Sequence, residues 1–526
     1  MLAYRAFKNL LVAASLLAGV ALPAQAVDVV IGRATEQSAL DPQYAQFTPD
    51  VSTADNIFER VVTASPSLKL GPGLAVSWRL VDPTTWELKL RPGVRWHDGS
   101  PFTAEDVAFS LKRAHFIPNS PAPVAAYVSA VKDTEAVDDL TLRVHTVTPA
   151  PLLIEQIGQI FIIPAKLGAS VTTEDFNSGR AVIGTGPYRF RSRLPGDSVV
   201  VQANPDYWGE KPKFGTVTLK FISNDTARSA ALLSGQVDVI EQIPPTDVPA
   251  LSSRPGITLF PAVSMRIVYL ALDSARDVSP FVTDKDGRPM QANPLRDRRV
   301  RLALSMMINR DAIVDRVLGG AGVAAGQTEP EGFGGHDPNL RPVYDPVGAR
   351  KLLAEAGYPN GFGLTVHGSN NRFPKDSEVT QALGQMFTRG GLRINAVEVL
   401  PYNVYAGQAT QRKLSAFVFS YGNTTNNALL GLSALLHTYD AQAGLGQLNR
   451  VRYSNPKLDE MLERASAEFD ETRRNALLAA AADEAMHDGA LMPLYWQKLY
   501  WGSRKGFIVT PDQGERTSAL FIAPEK

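Results

Sequence analysis

The 526-residue chain contains no cysteine. Disulfides, thiol catalysis and every cysteine-based metal site are thereby excluded. Histidine is scarce: seven residues, at positions 97, 115, 145, 336, 367, 437 and 487. None pairs with another at metal-ligand spacing, and no H-E-x-x-H or G-x-S-x-G motif occurs. An enzyme reading, such as a periplasmic hydrolase, therefore has no positive signal. Net charge is also missing, with 53 basic against 53 acidic residues, so no nucleic-acid partner is implied. No segment reaches 18 uninterrupted apolar residues, the length that reads as a membrane span.

What is present starts with Arg5 and Lys8, followed by an apolar run from Leu10 to Leu22. That run is 13 residues long, too short to span a bilayer comfortably. Ala24-Gln25-Ala26 matches the small-residue cleavage pattern, so residues 1–26 read as a signal peptide cleaved after Ala26. Without cysteine no lipid can be attached at a lipobox. The expectation is a soluble protein in the periplasm of a two-membrane bacterium. Cleavage would leave 51 basic and 53 acidic residues, a net charge of −2.

Residues 74–113 are the most structured passage. Trp78 and Leu80, then Trp86, Leu88 and Leu90, alternate with polar neighbours, the period of half-buried strands. Asp82-Pro83-Thr84-Thr85, Pro92-Gly93 and Asp98-Gly99 mark turns. Thr103 precedes Ala104-Glu105-Asp106, a cap with carboxylates at the positive helix end. Val107, Ala108, Leu111 and Ala114 supply the apolar stripe. His97-Asp98 reads as a turn rather than a catalytic dyad, which would need partners that the turn lacks.

Further on, strands and helices alternate with frequent turns, predicting an α/β fold. GTGPYRF at 184–190 predicts a turn into a strand, since Pro187 leaves no helix N-terminus for a phosphate. A strand at 217–222, a helix at 225–233 and a strand at 237–240 follow. Val300, Ala303, Leu304 and Met307 line one helix face, and Ile313, Val314, Val317 and Leu318 the next. Asp345-Pro346 and Asn455-Pro456 open helices, and Val379 to Phe387 forms another.

The 74–113 block resembles the signature of extracytoplasmic solute-binding proteins of family 5, which serve peptide-, nickel- and glutathione-type ABC importers. GTGPYRF, NPDYWGEKPKFGTVTLKF, RLALSMMINRDAIV, YDPVGARKLLAEAGYPNGF and YSNPKLDEMLERA follow in collinear order. The resemblance implies a two-lobed periplasmic binding protein fold (type 2, cluster C) that closes on its ligand by a hinge. It places lobe I at 27–262 plus 497–526, with an additional subdomain roughly over 60–180, and lobe II at 263–496. The crossing strands would be Arg266 to Leu272 and Trp496 to Trp501. It implies a monomer delivering a small-molecule ligand to ABC permease transmembrane subunits with cytoplasmic ATPases. No cofactor, resident metal or catalytic residue is implied.

Peptide-binding members hold the peptide amine with an aspartate in a lobe II loop and often meet the carboxylate with an arginine. Here that loop, 419–427, contains no Asp or Glu. Asn423 and Thr424 instead offer neutral donors and acceptors. Arg372, after the strand 364–367, has the fixed fork that suits a carboxylate or phosphate. Arg266 is a candidate of the same kind. Tyr44 belongs to the N-terminal segment that borders the cleft in the family, and Tyr421 and Trp496 could supply aromatic walls. A short peptide or peptide-like anion is the favoured ligand. A sugar, an opine-like conjugate, a nickel chelate or haem stays open, the last two because of His367 and His437.

Overall fold

The structure, a computed structural model, describes residues 27–525, so the expected signal peptide lies outside the described residues. Two long strands, Ile257–Leu272 and Met492–Arg504, pair antiparallel and organise a 12-stranded mixed sheet. Both are longer than the crossing segments expected from sequence. At one end they join Val239–Ile240, Val29–Arg33, Thr216–Phe221, Ser198–Ala203 and Tyr188–Leu194 in that order. At the other end Ile257–Leu272 pairs with Ala416–Gly422, which leads to Gly363–Ser369 and Val282–Thr283.

Parallel pairs arise where helices provide the crossovers. Thr216–Phe221 returns through the helix Asp225–Ser234 to Val239–Ile240, and Gly363–Ser369 through Asp376–Gly390 to Arg393–Leu400. The α/β, two-lobed architecture expected from the sequence is present. One lobe is centred on Ile31, Val201, Val217 and Leu219. The other buries both faces of its sheet, with Val268, Leu270 and Leu364 on one and Tyr269, Phe417 and Leu432 on the other. The ladder of the two long strands breaks register between Val263 and Ile267.

The 74–113 block sits in a separate four-stranded sheet, Ala75–Asp82, Thr85–Leu90, Thr141–Thr146 and Val131–Asp138. It has its own core of Leu88, Leu90, Trp96, Val107 and Leu111. Asp106 ties the passage together. Its carboxylate accepts from Thr103 N (2.9 Å), Trp96 Nε1 (3.1 Å) and Ala165 N (2.7 Å). The turn reading of His97 stands in the geometry: Gly184 N donates to its Nδ1 (3.2 Å) and its Nε2 meets Gly186 O (3.0 Å). Burial lowers its pKa to about 4, which keeps it neutral. A side chain at Gly184 would collide with the Ile57 carbonyl, so this glycine serves close backbone approach.

The second expected helix differs from its reading. Arg310–Ala312 gives one α turn, and Ile313–Val317 continues as a π-helix. The 17-residue helix Glu471–His487 had no clear sequence stripe. Its buried face is mostly alanine (Ala481, Ala482 and Ala485 beside Leu478), which marks a stripe weakly.

Candidate functional site

The break between the lobes also positions the polar groups. Ile267 stands opposite Trp496 on one strand and Tyr421 on the other, so the three share one sheet face. Arg266, opposite Gly422, projects to the other face through the pleat. On that side a cavity of about 520 Å³ opens between the lobes. Arg266, Gln497 and Lys498 line it from the two long strands, Arg372 from the loop after Gly363–Ser369 and residues 242–246 from the loop after Val239–Ile240.

Arg266 is already matched. Its Nη2 lies 2.8 Å from Glu515 Oε2 and its Nε 3.0 Å from Oε1. Burial raises the Glu515 carboxyl, but the Arg266 charge, hydrogen bonds from Arg266 and Ser264, and the Arg372 charge together hold it below its ordinary range. Arg372 and Lys498 are different. Neither has a carboxylate within 4.0 Å among the described residues. The Arg372 guanidinium lies 5.1 Å from the Tyr402 ring centre, and Lys498 Nζ 5.6 Å from that of Tyr500. Lys375, on the same wall, is paired with Glu378 at 2.8 Å. The cavity thus presents two cations without an ion-pair partner to whatever enters it.

A second chamber of about 50 Å³ lies on the opposite side of Arg266. Met265 and Gly514 line this one, whereas the next residues, Arg266 and Glu515, line the larger one. Its cations are internally balanced: Arg60 by Asp55 at 2.8 Å and Arg516 by Asp512 at 2.7 Å. Thr424 lines this chamber and bridges the lobes, with its Oγ1 3.0 Å from Tyr127 Oη. Asn427 Nδ2 donates to Glu155 of the helix Leu153–Ile157. Trp86 and Phe469 meet nearby with ring centres 6.4 Å apart. The lobes are closed on each other along this side.

The loop after Ala416–Gly422 is held by its own side chains. Asn423 Oδ1 accepts from Thr425 N (3.1 Å), and Asn423 Nδ2 donates to Asn427 O (2.6 Å). Behind it lies Glu329, which the sequence reading passed over. Trp496 Nε1 donates to Thr328 O (3.1 Å), and Thr328 Oγ1 donates to the Glu329 carboxylate. The Asn423 amide and the Tyr421 ring lie close to that carboxylate, gathered with it around Gly431. Tyr421, Asn423 and Trp496 therefore do come together, around Glu329. Burial pushes Glu329 up to about 7 despite the hydrogen bonds from Thr328 and Asn423. Glu155 is likewise raised to about 7 by burial, with Arg474 opposing and Glu471 adding to the shift. The sole sequence signal for Glu329 is an acid inside the turn-rich run 326–332, GQTEPEG.

Tyr44 lies elsewhere: its hydroxyl donates to Asn119 O (2.9 Å), and it lines neither chamber. His367 is fully buried with Nε2 3.3 Å from Glu398, and His437 sits by Asp459 and Glu463. Among the described residues no group of three or more His, Cys, Asp or Glu is placed to hold a metal.

Two lobes joined by crossing strands, with a polar cavity between them, define an extracytoplasmic solute-binding protein of the kind that serves ABC importers. The chain belongs to the bacterial extracellular solute-binding proteins of family 5, whose model (the "Middle" region) matches residues 69–443. It is 29% identical over 500 residues to the glutathione-binding protein GsiB of Pectobacterium atrosepticum, covering 93% of this chain and 92% of that protein. Its fold matches HbpA2 from Haemophilus parasuis with a TM-score of 0.80 at 23% identity, covering 95% of this chain and 100% of the other. It also matches the binding protein AgaA from A. tumefaciens R10, solved with agropinic acid (TM-score 0.74, 21% identity, 95% and 99% covered).

Proposed function

We propose that this protein captures a short peptide or peptide-like anion between its lobes in the periplasm and delivers it to an ABC permease. The observation that carries the anion is the pair of cations without an ion-pair partner, Arg372 and Lys498, facing the 520 Å³ cavity. A ligand carboxylate placed there gains charge-assisted hydrogen bonds from a planar guanidinium. The cavity lies within the usual size range of small-ligand sites. In this reading lobe I is 27–262 plus 497–526, with its subdomain roughly over 60–180, and lobe II is 263–496. The mature chain begins at Val27, acts as a monomer, and closes by rotation about the break at 263–267. Arg266 keeps Glu515 as its partner and shapes the wall, while Arg372 meets the ligand. No covalent step takes place.

A second ligand class is an opine-like conjugate, which offers a carboxylate for Arg372 and hydroxyls or amides for the Gln242, Asn371 and Gln497 side chains of the same cavity. A thermal-shift screen with peptides, glutathione, sugars, opines and nickel separates these classes, because a ligand of the folded state raises the melting temperature. A panel in which no carboxylate-bearing solute raises it refutes the anion reading. Turnover of a peptide or glycoside, abolished by a point substitution, refutes the absence of chemistry.

A further inference from the structure

Away from the cleft, a separate cavity of about 220 Å³ opens beside the helix Arg298–Met306. None of its lining residues lines the 520 Å³ cavity. Leu302, Met306, Leu340, Leu352, Met486 and Leu491 make most of its wall. The chain at 340–342 closes one side and is held there by backbone packing: a side chain at Gly326 would meet the Leu340 carbonyl at 2.6 Å. Val343, also in the wall, is 58% exposed and marks the outer rim. No Asp or Glu lines the space.

Two polar side chains, Arg310 and Ser305, stand in this apolar wall. Arg310 is 4% exposed, and no carboxylate lies within 4.0 Å of it among the described residues. Burial lowers its pKa to about 10 against the opposing charge of Asp311. Carbonyls answer it in part. Its Nε donates to Pro493 O (2.6 Å), and its Nη1 to Ser305 O (3.1 Å) and Ile308 O (3.4 Å). Its Nη2 donates to Ser305 Oγ (2.9 Å). A guanidinium carries five N–H groups, so one N–H of Nη2 has no acceptor among the described residues. Ser305 Oγ accepts from Arg310, and its own proton has no acceptor there either. A buried cation and a hydroxyl thus each keep a free donor, side by side, on the wall of an apolar space. Two adjacent donors match the two oxygens of a carboxylate, and a buried guanidinium gains most from a full negative charge. An apolar cavity of about 150 Å³ holds a benzene ring, so this one has room for a ring or a short alkyl chain together with a carboxylate. We propose that the cavity is a second ligand site, taking a small monocarboxylate with an apolar body. The carboxylate sits on Arg310 Nη2 and Ser305 Oγ, and the body lies against the leucine and methionine wall. The site is independent of what the cleft binds.

The test is calorimetry of the purified chain with phenylacetate and hexanoate, with neutral phenylacetamide as the control. Both acids should bind, and phenylacetamide about tenfold more weakly than phenylacetate, as the loss of a charge-assisted hydrogen bond requires. Ser305→Ala should weaken both acids about three- to tenfold. Leu352→Trp fills the space and should abolish binding. Val343→Trp alters an exposed rim position, leaves the core untouched, and should weaken binding as well. Arg372→Ala, in the cleft, should leave both affinities unchanged. Loss of binding in Arg372→Ala, with binding kept in Leu352→Trp and Val343→Trp, would put the probes in the cleft and overturn the site. Equal affinity for phenylacetamide, or full affinity in Ser305→Ala, overturns the carboxylate assignment. Failure of both acids to bind at millimolar concentration overturns the proposal outright.

Discussion

The two ends of the interlobe cleft solve opposite electrostatic problems. At one end Arg372 and Lys498 face a 520 Å³ space with no carboxylate within 4.0 Å of either, the acids on its wall being Glu515, held by Arg266, and Asp225, held by Arg228. At the other, Glu329 is buried and Glu155 half-buried, both raised toward neutrality, the first answered by Thr328 and Asn423 and the second by Arg474 and Asn427. Between them stands a matched pair, Arg266 and Glu515. The lesson is that charge in this cleft has been left over in two places and cancelled in one. The cancelled pair is scaffold, and the unpaired cations are where a ligand can gain free energy.

The sharpest way to break this contrast is to remove half of the matched pair. Arg266 and Glu515 have side-chain exposures of 14% and 9%. Glu515→Ala would leave a largely buried guanidinium alone and should cost about 3–5 kcal/mol in denaturant unfolding. A loss below about 1 kcal/mol would place the pair with ordinary surface ion pairs and dissolve the distinction.

Arg372→Ala should behave in the opposite manner. Stability should change by no more than about 0.5 kcal/mol, since the side chain is exposed and has no ion-pair partner. Affinity for an anionic ligand should fall tenfold or more, in line with about 1.5–3 kcal/mol for a charge-assisted hydrogen bond. Unchanged calorimetric affinity for a carboxylate-bearing ligand would reject its role.

The same contrast explains what the sequence could reveal. The fold was legible because its signals are local. Asp106 caps its helix three residues from Thr103, and Asn455 and Asp345 each precede a proline that opens a helix. Arg372 was legible as a loop arginine after a strand. Glu329 was not, because its meaning depends on Asn423, 94 positions later in the chain, and on Trp496, further still. The missing acid of 419–427 was a correct observation about the loop. It was incomplete about the site, since acids reach that loop from segments no local pattern connects to it. The π-helix at Ile313–Val317 escaped for a related reason: its apolar spacing fits an ordinary helix, and the altered bonding is set by tertiary contacts.

Glu155 tests the acidic end through pH. Its carboxyl is raised from 4.5 to about 7, so the folded chain holds a proton that the unfolded chain has released. Its contribution is fully favourable below about pH 4.5 and is lost as the pH rises through 7. Glu155→Gln keeps an acceptor for Asn427 but cannot ionise. Relative to wild type it should therefore gain stability between pH 5 and pH 8. The gain should be on the order of 1 kcal/mol, discounted for partial exposure. Parallel stability curves across that range would show that burial does not govern this carboxyl.

Lys498 offers the smallest effect and the finest distinction at the cationic end. An ammonium is a compact, mobile charge, whereas the Arg372 fork can fix a carboxylate by two parallel bonds. Lys498→Met keeps most of the apolar stem beside Tyr500 and removes only the charge. The affinity loss should be about 0.2–1 kcal/mol, carried mainly by a slower association rate, and should shrink further in high salt. Arg372→Ala should instead act through faster dissociation, because a positioned hydrogen bond is lost rather than a guiding field. Stopped-flow binding at two salt concentrations reads both quantities. If Lys498→Met raised the dissociation rate as much as Arg372→Ala, the two cations would form one carboxylate clamp, and the division between guiding and gripping charge at this end would have to be abandoned.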